Sequence, residues 1–301
     1  MSGRIAFEAT RRATGDAGLT SASFPLSTPI AIDTHAHVFT RDLSMASRRR
    51  YTPDYDATLA DYLRHLDAHG LSHGVLVQPS FLGTDNRFLL SALAQARHRL
   101  RGVSVVDPVQ ITMQELTAMH HAGVRGIRLN LFGLPTPDLH SATWRTLCEH
   151  INPLGWHVEV HVPAVRLPEV LPPLLTADCR IVVDHFGRPD PAAGISDSGF
   201  RYLLDQAASG RVWVKLSAAY RLWPTEQSAT LGHQATEQLL QAFTATRLVW
   251  GSDWPHTENQ HHANYPRTVA WLRDWVTDPS TLRTLLATTP SALFDIEGDT
   301  L

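Results

Sequence analysis

Three histidines and one aspartate in this sequence have the residue types and spacing of a hydrolytic or metal-dependent site. His35 and His37 lie two residues apart at the end of an apolar segment, so in a β-strand both imidazoles point to the same side. His185 and Asp253 each follow another short apolar segment. Such a set can bind one zinc or manganese ion, polarise a carbonyl group, or take a proton from water through the carboxylate. We interpret these four residues as candidate catalytic residues and candidate metal ligands.

Short apolar segments, with helix-like segments between them, must position these side chains. Eight segments rich in Val, Ile and Leu predict strands that are buried on both faces, as in a parallel sheet. The predicted strands are residues 31–37, 74–79, 102–106, 124–131, 156–162, 180–185, 212–217 and 247–253. Their alternation with helices predicts a single-domain α/β fold, the (β/α)8 TIM barrel, over residues 30–301. The carboxyl ends of all strands meet on one face of such a barrel, so the four candidate residues are expected to converge.

Two segments between the predicted elements are long enough to cover that face of the barrel. Residues 38–55 follow the first predicted strand, and residues 220–234 follow the seventh. We interpret both as loops that could form a lid, because long connections in a compact domain are commonly functional. The run Arg48–Arg50 in the first loop is interpreted as an ordinary solvated charge run ahead of a substrate-binding role.

Composition and charge exclude several classes of protein. Of 301 residues, 43% are hydrophobic, and the formal net charge of -3 provides no basic field for nucleic acid or an anionic membrane. No apolar stretch approaches the ~20 residues that span a bilayer. Residues 1–29 lack the apolar region of a signal peptide and are interpreted as a flexible N-terminal leader. Two cysteines, Cys148 and Cys179, are too few for a disulfide framework, which favours a location in the cytoplasm. The sequence is compatible with a monomer and with a homo-oligomer.

Three motifs at the predicted strand ends resemble those of the amidohydrolase superfamily, in its amidohydrolase-related family 2. The motifs are Asp33-Thr34-His35-Ala36-His37, Asp184-His185-Phe186-Gly187 and Gly251-Ser252-Asp253-Trp254-Pro255-His256. The combination is most similar to the branch of 2-pyrone-4,6-dicarboxylate lactonase and sugar-acid lactonases. The resemblance covers about residues 31–295 and therefore nearly the whole predicted barrel.

This resemblance implies hydrolysis of a small lactone that bears a carboxylate. Asp253 would be the general base that activates water, and His35, His37 and His185 would polarise the lactone carbonyl, directly or through a metal ion. Preorganised donors or a metal ion stabilise the oxyanion that this attack creates. Arginine suits a planar carboxylate because it can donate two parallel hydrogen bonds. The implied substrate-binding residues are Arg128, Arg221, Ser80, Tyr51, Arg125 and His161.

One departure from that branch concerns the substrate. Relatives that bind pyrone dicarboxylate carry a further basic pair shortly after the fourth strand, whereas residues 131–136 of this chain have no charged side chain. A lactone with one carboxylate, or a sugar lactone rich in hydroxyl groups, therefore fits better, unless Arg48–Arg50 binds a second carboxylate.

Metal occupancy and reaction type stay open at this stage. The fourth strand offers Arg128 and Asn130 rather than a bridging lysine or glutamate, which argues against a binuclear centre. One zinc or manganese ion and metal-free catalysis are both compatible with the residues. The alternatives to a lactone hydrolase are a metal-dependent decarboxylase, a lactone isomerase and a barrel that only binds a ligand. A base beside a carbonyl-polarising cluster favours an enzyme, because a binding protein has no use for it.

Overall fold

Eight parallel strands form the centre of the protein. The structure, a computed structural model, describes residues 30–296. Each strand pairs in parallel with the next along the chain, in the order β1 to β8. The strands are β1 (Ile32–Ala36), β2 (His73–Val77), β3 (Leu100–Ser104), β4 (Val124–Asn130), β5 (His157–His161), β6 (Arg180–Val183), β7 (Val212–Leu216) and β8 (Leu248–Trp250). The predicted single-domain (β/α)8 TIM barrel is confirmed, while the predicted leader, residues 1–29, lies outside the described residues.

Helices follow the strands and cover the outside of the sheet. They are α1 (Leu59–Ala68), α2 (Arg87–Gln95), α3 (Met113–His121), α4 (Ala142–Ile151), α5 (Leu167–Thr176), α6 (Ser198–Asp205), α7 (Ser228–Phe243), α8 (Tyr265–Trp275), α9 (Pro279–Arg283) and α10 (Thr289–Phe294). Thr58 and Thr112 start α1 and α3 with capping boxes, in which each threonine and an acidic residue three positions later satisfy backbone N–H groups. Within residues 30–296, none of these helices combines the length and apolarity needed to cross a membrane.

Helix α7 begins earlier than the sequence predicts. We predicted a loop over residues 220–234, but α7 begins at Ser228, so the second half of that prediction is wrong. The buried face of this helix starts with serine and glycine, which have little hydrophobic periodicity. At Gly232 the backbone packs directly on Trp275, and a Cβ there would lie 2.4 Å from the indole ring. Because glycine has no side chain, the backbone can approach the indole this closely. For the same reason, Gly232 adds no apolar position to the helical pattern of the sequence.

The inside of the barrel changes from apolar to polar along its axis. Val75 of β2, Val103 of β3, Val182 of β6 and Val249 of β8 form one small apolar cluster, together with Phe294 of α10. The apolar strand neighbours of Val75, Val182 and Val249 belong to the larger cluster between the sheet and the helices, as the period of two requires. The carboxyl-terminal half of the barrel holds buried histidines, carboxylates and a lysine instead. The polar layer therefore rests on an apolar base.

Hydrogen bonds around Asp33 close the barrel between its first and last strands. The buried Asp33 carboxylate accepts from the backbone N–H (2.8 Å) and hydroxyl (2.6 Å) of Ser252, and from the Tyr265 hydroxyl (2.9 Å). The His35 amide donates to the same carboxylate over 3.1 Å. Gly251 permits the close approach, because a Cβ there would lie 2.5 Å from the Cβ of His35. Asp33 therefore joins the two motifs that carry the candidate site.

Replacing Asp33 by alanine is expected to lower the free energy of unfolding by about 3 kcal/mol or more, because each buried donor left without an acceptor costs about 1–3 kcal/mol. Asp56→Ala is the matched control, since the exposed Asp56 carboxylate accepts a hydrogen bond only at the surface, from the Arg41 amide. The control is expected to change stability by less than about 1 kcal/mol. Urea unfolding followed by circular dichroism measures both, and equal changes would contradict this role of Asp33.

Candidate active site

A pocket of about 230 Å³ opens at the carboxyl ends of the strands. The predicted site residues that line it are His37, Tyr51, Ser80, Arg128, His161, His185, Arg221 and Asp253. His35 lies beneath this layer, fully buried, in contact with His37. Arg125 is a correction to the prediction: as the second residue of β4 it points away from the pocket and pairs with the Asp295 carboxylate at 3.0 Å. The strand period places Arg125 and Arg128 on opposite faces of β4.

His35, His37 and Asp253 bring three potential ligand atoms together, and we call these residues the histidine–aspartate cluster. The Nε2 atoms of the two histidines are 3.3 Å apart, and Oδ1 of Asp253 lies 3.7 and 3.8 Å from them. Ligands held at about 2.0–2.2 Å around tetrahedral zinc lie about 3.3–3.6 Å from one another. The cluster could therefore bind a divalent ion by its spacing, and His35 forms a second such group with Asp184 and His185.

The proton positions in this cluster follow from the groups behind it. Nζ of Lys215 lies 2.9 Å from Nδ1 of His35, and Nδ1 of His37 lies 2.7 Å from the Val77 carbonyl oxygen. Burial lowers the pKa of His37 to about 4 and that of His35 well below its usual range, so both rings are neutral at pH 7. An ammonium group only donates, so Nδ1 of His35 accepts from Lys215 and its Nε2–H points to His37. A chain of hydrogen bonds thus runs from Lys215 through His35 and His37 to the Val77 carbonyl oxygen.

A buried charge network of Lys215, Glu159, Asp184 and Arg128 supports these histidines. Nζ of Lys215 lies 2.5 Å from Oε2 of Glu159 and 3.1 Å from Oδ1 of Asp184. Although burial opposes ionisation, Lys215 and Arg128 hold the pKa of Asp184 well below its usual range, whereas burial and the nearby Asp184 raise the pKa of Glu159 to about 7. Our sequence prediction included neither Lys215 nor Glu159 in the site. The available signal was a charged residue inside each of two apolar strands, β7 and β5.

The carboxylate of Asp253 has one oxygen that is held and one that faces the histidines. Oδ2 accepts from the Tyr220 hydroxyl and from Nε of Arg221, both at 2.5 Å, while Oδ1 faces the two histidine Nε2 atoms. Burial opposes its ionisation, but the Arg221 guanidinium holds the pKa of Asp253 well below its usual range. Asp253 is therefore a carboxylate at neutral pH whose Oδ1 can accept a proton. The sequence prediction missed Tyr220, which also lies 3.1 Å from Nδ1 of His256.

Two of the four arginines that line the pocket are already bound to carboxylates. Nε and Nη2 of Arg128 donate to Oδ2 of Asp184 over 3.1 and 2.7 Å. Arg221 donates to Asp253 and, through Nη2, to the Thr257 hydroxyl over 3.2 Å. These are the two arginines that the sequence resemblance assigns to a substrate carboxylate. Much of their donor capacity is used inside the protein.

The other two arginines, Arg188 and Arg50, lie over the ring of Phe132, at 4.2 and 4.8 Å from its centroid. Nε of Arg188 is buried and has no hydrogen-bond partner among residues 30–296. Nη1 of Arg188 lies 3.4 Å from Nε2 of His161, whose Nδ1 is 3.0 Å from Oδ1 of Asn130. The predicted substrate-binding residue His161 therefore positions Arg188. Our sequence prediction missed Arg188, and no motif marked it.

The sequence and the fold are similar to those of known hydrolases. Residues 32–296 match the family described as amidohydrolase. A 2-pyrone-4,6-dicarboxylate hydrolase from Comamonas testosteroni is 33% identical over 242 residues, which cover 77% of this chain and 79% of that protein. A 4-sulfomuconolactone hydrolase from Rhizobium radiobacter is 33% identical over 238 residues, or 75% of this chain and 76% of that protein.

One solved structure is similar over almost its whole length. It is a Pseudomonas putida protein described as a 2-pyrone-4,6-dicarboxylic acid hydrolase, with 46% sequence identity and a TM-score of 0.84. The match covers 90% of this chain and 99% of that one. The resemblance inferred from the three motifs is confirmed, and the chain belongs to the amidohydrolase family of enzymes.

Proposed function

We propose that the protein hydrolyses a small lactone that bears at least one carboxylate group. The observation that carries this proposal is the orientation of Asp253, with one oxygen held by Tyr220 and Arg221 and the other beside His35 and His37. This is the arrangement that a general base for water requires, because the held oxygen fixes the direction of the free one. The relatives support a lactone as substrate, since one is named for a pyrone dicarboxylate and another for a sulfomuconolactone.

In the proposed reaction, Oδ1 of Asp253 takes a proton from a water molecule while the water oxygen attacks the lactone carbonyl carbon. The ring C–O bond then breaks, and the ring oxygen takes up the proton, which Asp253 returns. The product is an open-chain acid with a new carboxyl group. A positioned general base contributes about 10²–10⁴-fold to such a step.

Polarisation of the carbonyl is assigned to neutral imidazoles. Nδ1 of His185 lies 2.7 Å from the Ser217 hydroxyl, and burial lowers the pKa of His185 to about 3. When Ser217 donates to Nδ1, Nε2–H of His185 faces the pocket, where the oxyanion would form. We propose that these side chains act without a metal ion, because the hydrogen bond from Lys215 places the His35 proton on the nitrogen that an ion would need.

The substrate carboxylate is assigned to Arg188, with Arg50 beside it. Burial and the nearby Arg221 lower the pKa of Arg188 to about 10, so it stays charged at neutral pH. Its buried Nε has no partner within residues 30–296 and lacks the hydrogen bond that a carboxylate would supply. A bound anion would also reduce the repulsion among the arginines of the pocket. This assignment supplies a cationic site despite the uncharged residues 131–136, so dicarboxylates belong among the candidate substrates.

Asp253→Asn is expected to lower kcat by about 10²–10⁴-fold, because an amide cannot take the proton from water. Proton release at near-neutral pH measures turnover on pyrone dicarboxylates, muconolactones and sugar-acid lactones, and NMR identifies the product. An open-chain acid indicates a hydrolase, a rearranged lactone an isomerase, and released carbon dioxide a decarboxylase. Asp274→Asn, at an exposed position, is the control. Unchanged kcat in Asp253→Asn would contradict the role of Asp253.

Dialysis against a chelator is expected to leave both turnover and Tm unchanged, because the histidine pair is hydrogen-bonded without an ion. Removing an ion from an occupied site would lower Tm by several degrees, since binding to the folded state stabilises it by about 2.7 kcal/mol at 100 times Kd. Metal content is measured in parallel. Turnover that disappears on chelation and returns with zinc or manganese would instead establish the metal-dependent alternative.

Arg188→Met is expected to weaken binding of a carboxylate-bearing lactone by about 10- to 100-fold, the equivalent of one charge-assisted hydrogen bond of about 1.5–3 kcal/mol. We expect a larger change in KM than in kcat, because Arg188 binds the substrate carboxylate and does not contact the reacting atoms. Arg201→Met removes the same charge from an exposed position and is the control. Steady-state kinetics on the best substrate of the panel measures both. A KM that is the same in both variants would remove Arg188 from the binding site.

A further inference from the structure

A second cavity lies against the reaction pocket, and we call it the side chamber. Its volume is about 560 Å³, compared with about 230 Å³ for the pocket. The walls that the two cavities share are Arg50, Ser80, Arg128, Asn130 and Phe132. Pockets for drug-sized ligands commonly measure about 300–1,000 Å³, so the reaction pocket alone has room for only a compact molecule. The side chamber more than doubles the space beside the reacting ring.

Most of the walls that belong to the side chamber alone are apolar. Val105 and Val106 follow β3, Ile127 and Leu129 belong to β4, and Trp144 belongs to α4. Leu134, in the connection after β4, completes this apolar lining and is 48% exposed. The alternation along β4 separates the two cavities chemically. Arg128 and Asn130 line both of them, whereas Ile127 and Leu129, which alternate with them on the strand, line only the side chamber.

We propose that the side chamber binds an apolar substituent, a short alkyl or aryl group, carried by the lactone ring at a position away from the reacting carbonyl. This proposal rests on the proposed function, because the ring itself occupies the reaction pocket. Because the two cavities share five wall residues, a group in the side chamber lies beside a ring in the reaction pocket, and we assign both to the same molecule. Six of the ten residues that line the side chamber alone are apolar, and the polar ones, Ser47, Arg48 and Arg49, all lie on the loop after β1. A hydroxyl-rich sugar chain against the apolar walls would lose its hydrogen bonds to water there. An apolar group gains instead, by about 0.8 kcal/mol or about fourfold in affinity for each buried methylene.

A series of carboxylated lactones tests this, with hydrogen, methyl, ethyl, propyl or hydroxymethyl as the ring substituent. In the wild-type protein, kcat/KM is expected to rise about fourfold with each added carbon, and the hydroxymethyl compound should fall below the ethyl compound. Val106→Phe narrows the side chamber, and Val106 does not line the reaction pocket. This variant should keep the parent turnover and lose the rise along the series. Val109→Phe, at a position 78% exposed, is the matched control.

The outcomes separate this proposal from the proposed function. Hydrolysis of the parent lactone without any rise along the series, or with the same rise in Val106→Phe, overturns the side-chamber proposal and leaves the lactonase assignment intact. If no lactone is hydrolysed, calorimetry compares the affinities of benzoate and of its 3-propyl derivative for the protein. The side-chamber proposal predicts the same gain in affinity, about fourfold for each added carbon, and equal affinities overturn it. Leu134→Phe is the second variant if Val106→Phe does not fold, since the half-exposed Leu134 tolerates a larger side chain.

Discussion

The buried charge network of Lys215, Glu159, Asp184 and Arg128 is the interaction on which the rest of the site depends. Each of these ions would cost several kcal/mol to bury alone, so none is stable there without the others. Their pairing therefore leaves little freedom in where the ammonium group and the guanidinium group point. One consequence is that Lys215 donates to His35 and sets its tautomer. The other is that Arg128 faces Asp184 as well as the pocket.

Barrel closure and the orientation of the base depend on the same short segment. Ser252 binds the Asp33 carboxylate, Gly251 allows contact with β1, and the Asp253 amide donates to the His35 carbonyl oxygen over 2.8 Å. Asp253 has a backbone φ of 57°, which is uncommon for a residue with a side chain. Because hydrogen bonds on both sides hold this conformation, the carboxylate is directed at the histidines before any substrate arrives.

The pocket divides its recognition among groups of different chemistry. Arg221 and Tyr220 fix the base, and the side chamber offers apolar walls. Arg188 offers an Nε donor that has no partner in the described part of the chain. Phe132 lies at the junction, under both Arg188 and Arg50. A substrate that satisfies all these groups would carry its charge on one side of the ring and its apolar substituent on another. At the end of β4 the polar Arg128 and Asn130 alternate with the apolar Ile127 and Leu129, so this strand contributes to both kinds of wall.

The sequence by itself determined the barrel, because eight apolar segments separated by helical ones have few other ways to bury their surface. It also determined the histidine–aspartate cluster, since strand ends of a barrel converge whatever the details of packing. Only the tertiary structure decided that Arg128 and Arg221 are engaged, that Arg125 faces away, and that Lys215 and Arg188 complete the site. These facts depend on which side chains lie within hydrogen-bond distance of one another. A linear pattern does not contain such distances, because the partners come from strands and loops far apart in the chain.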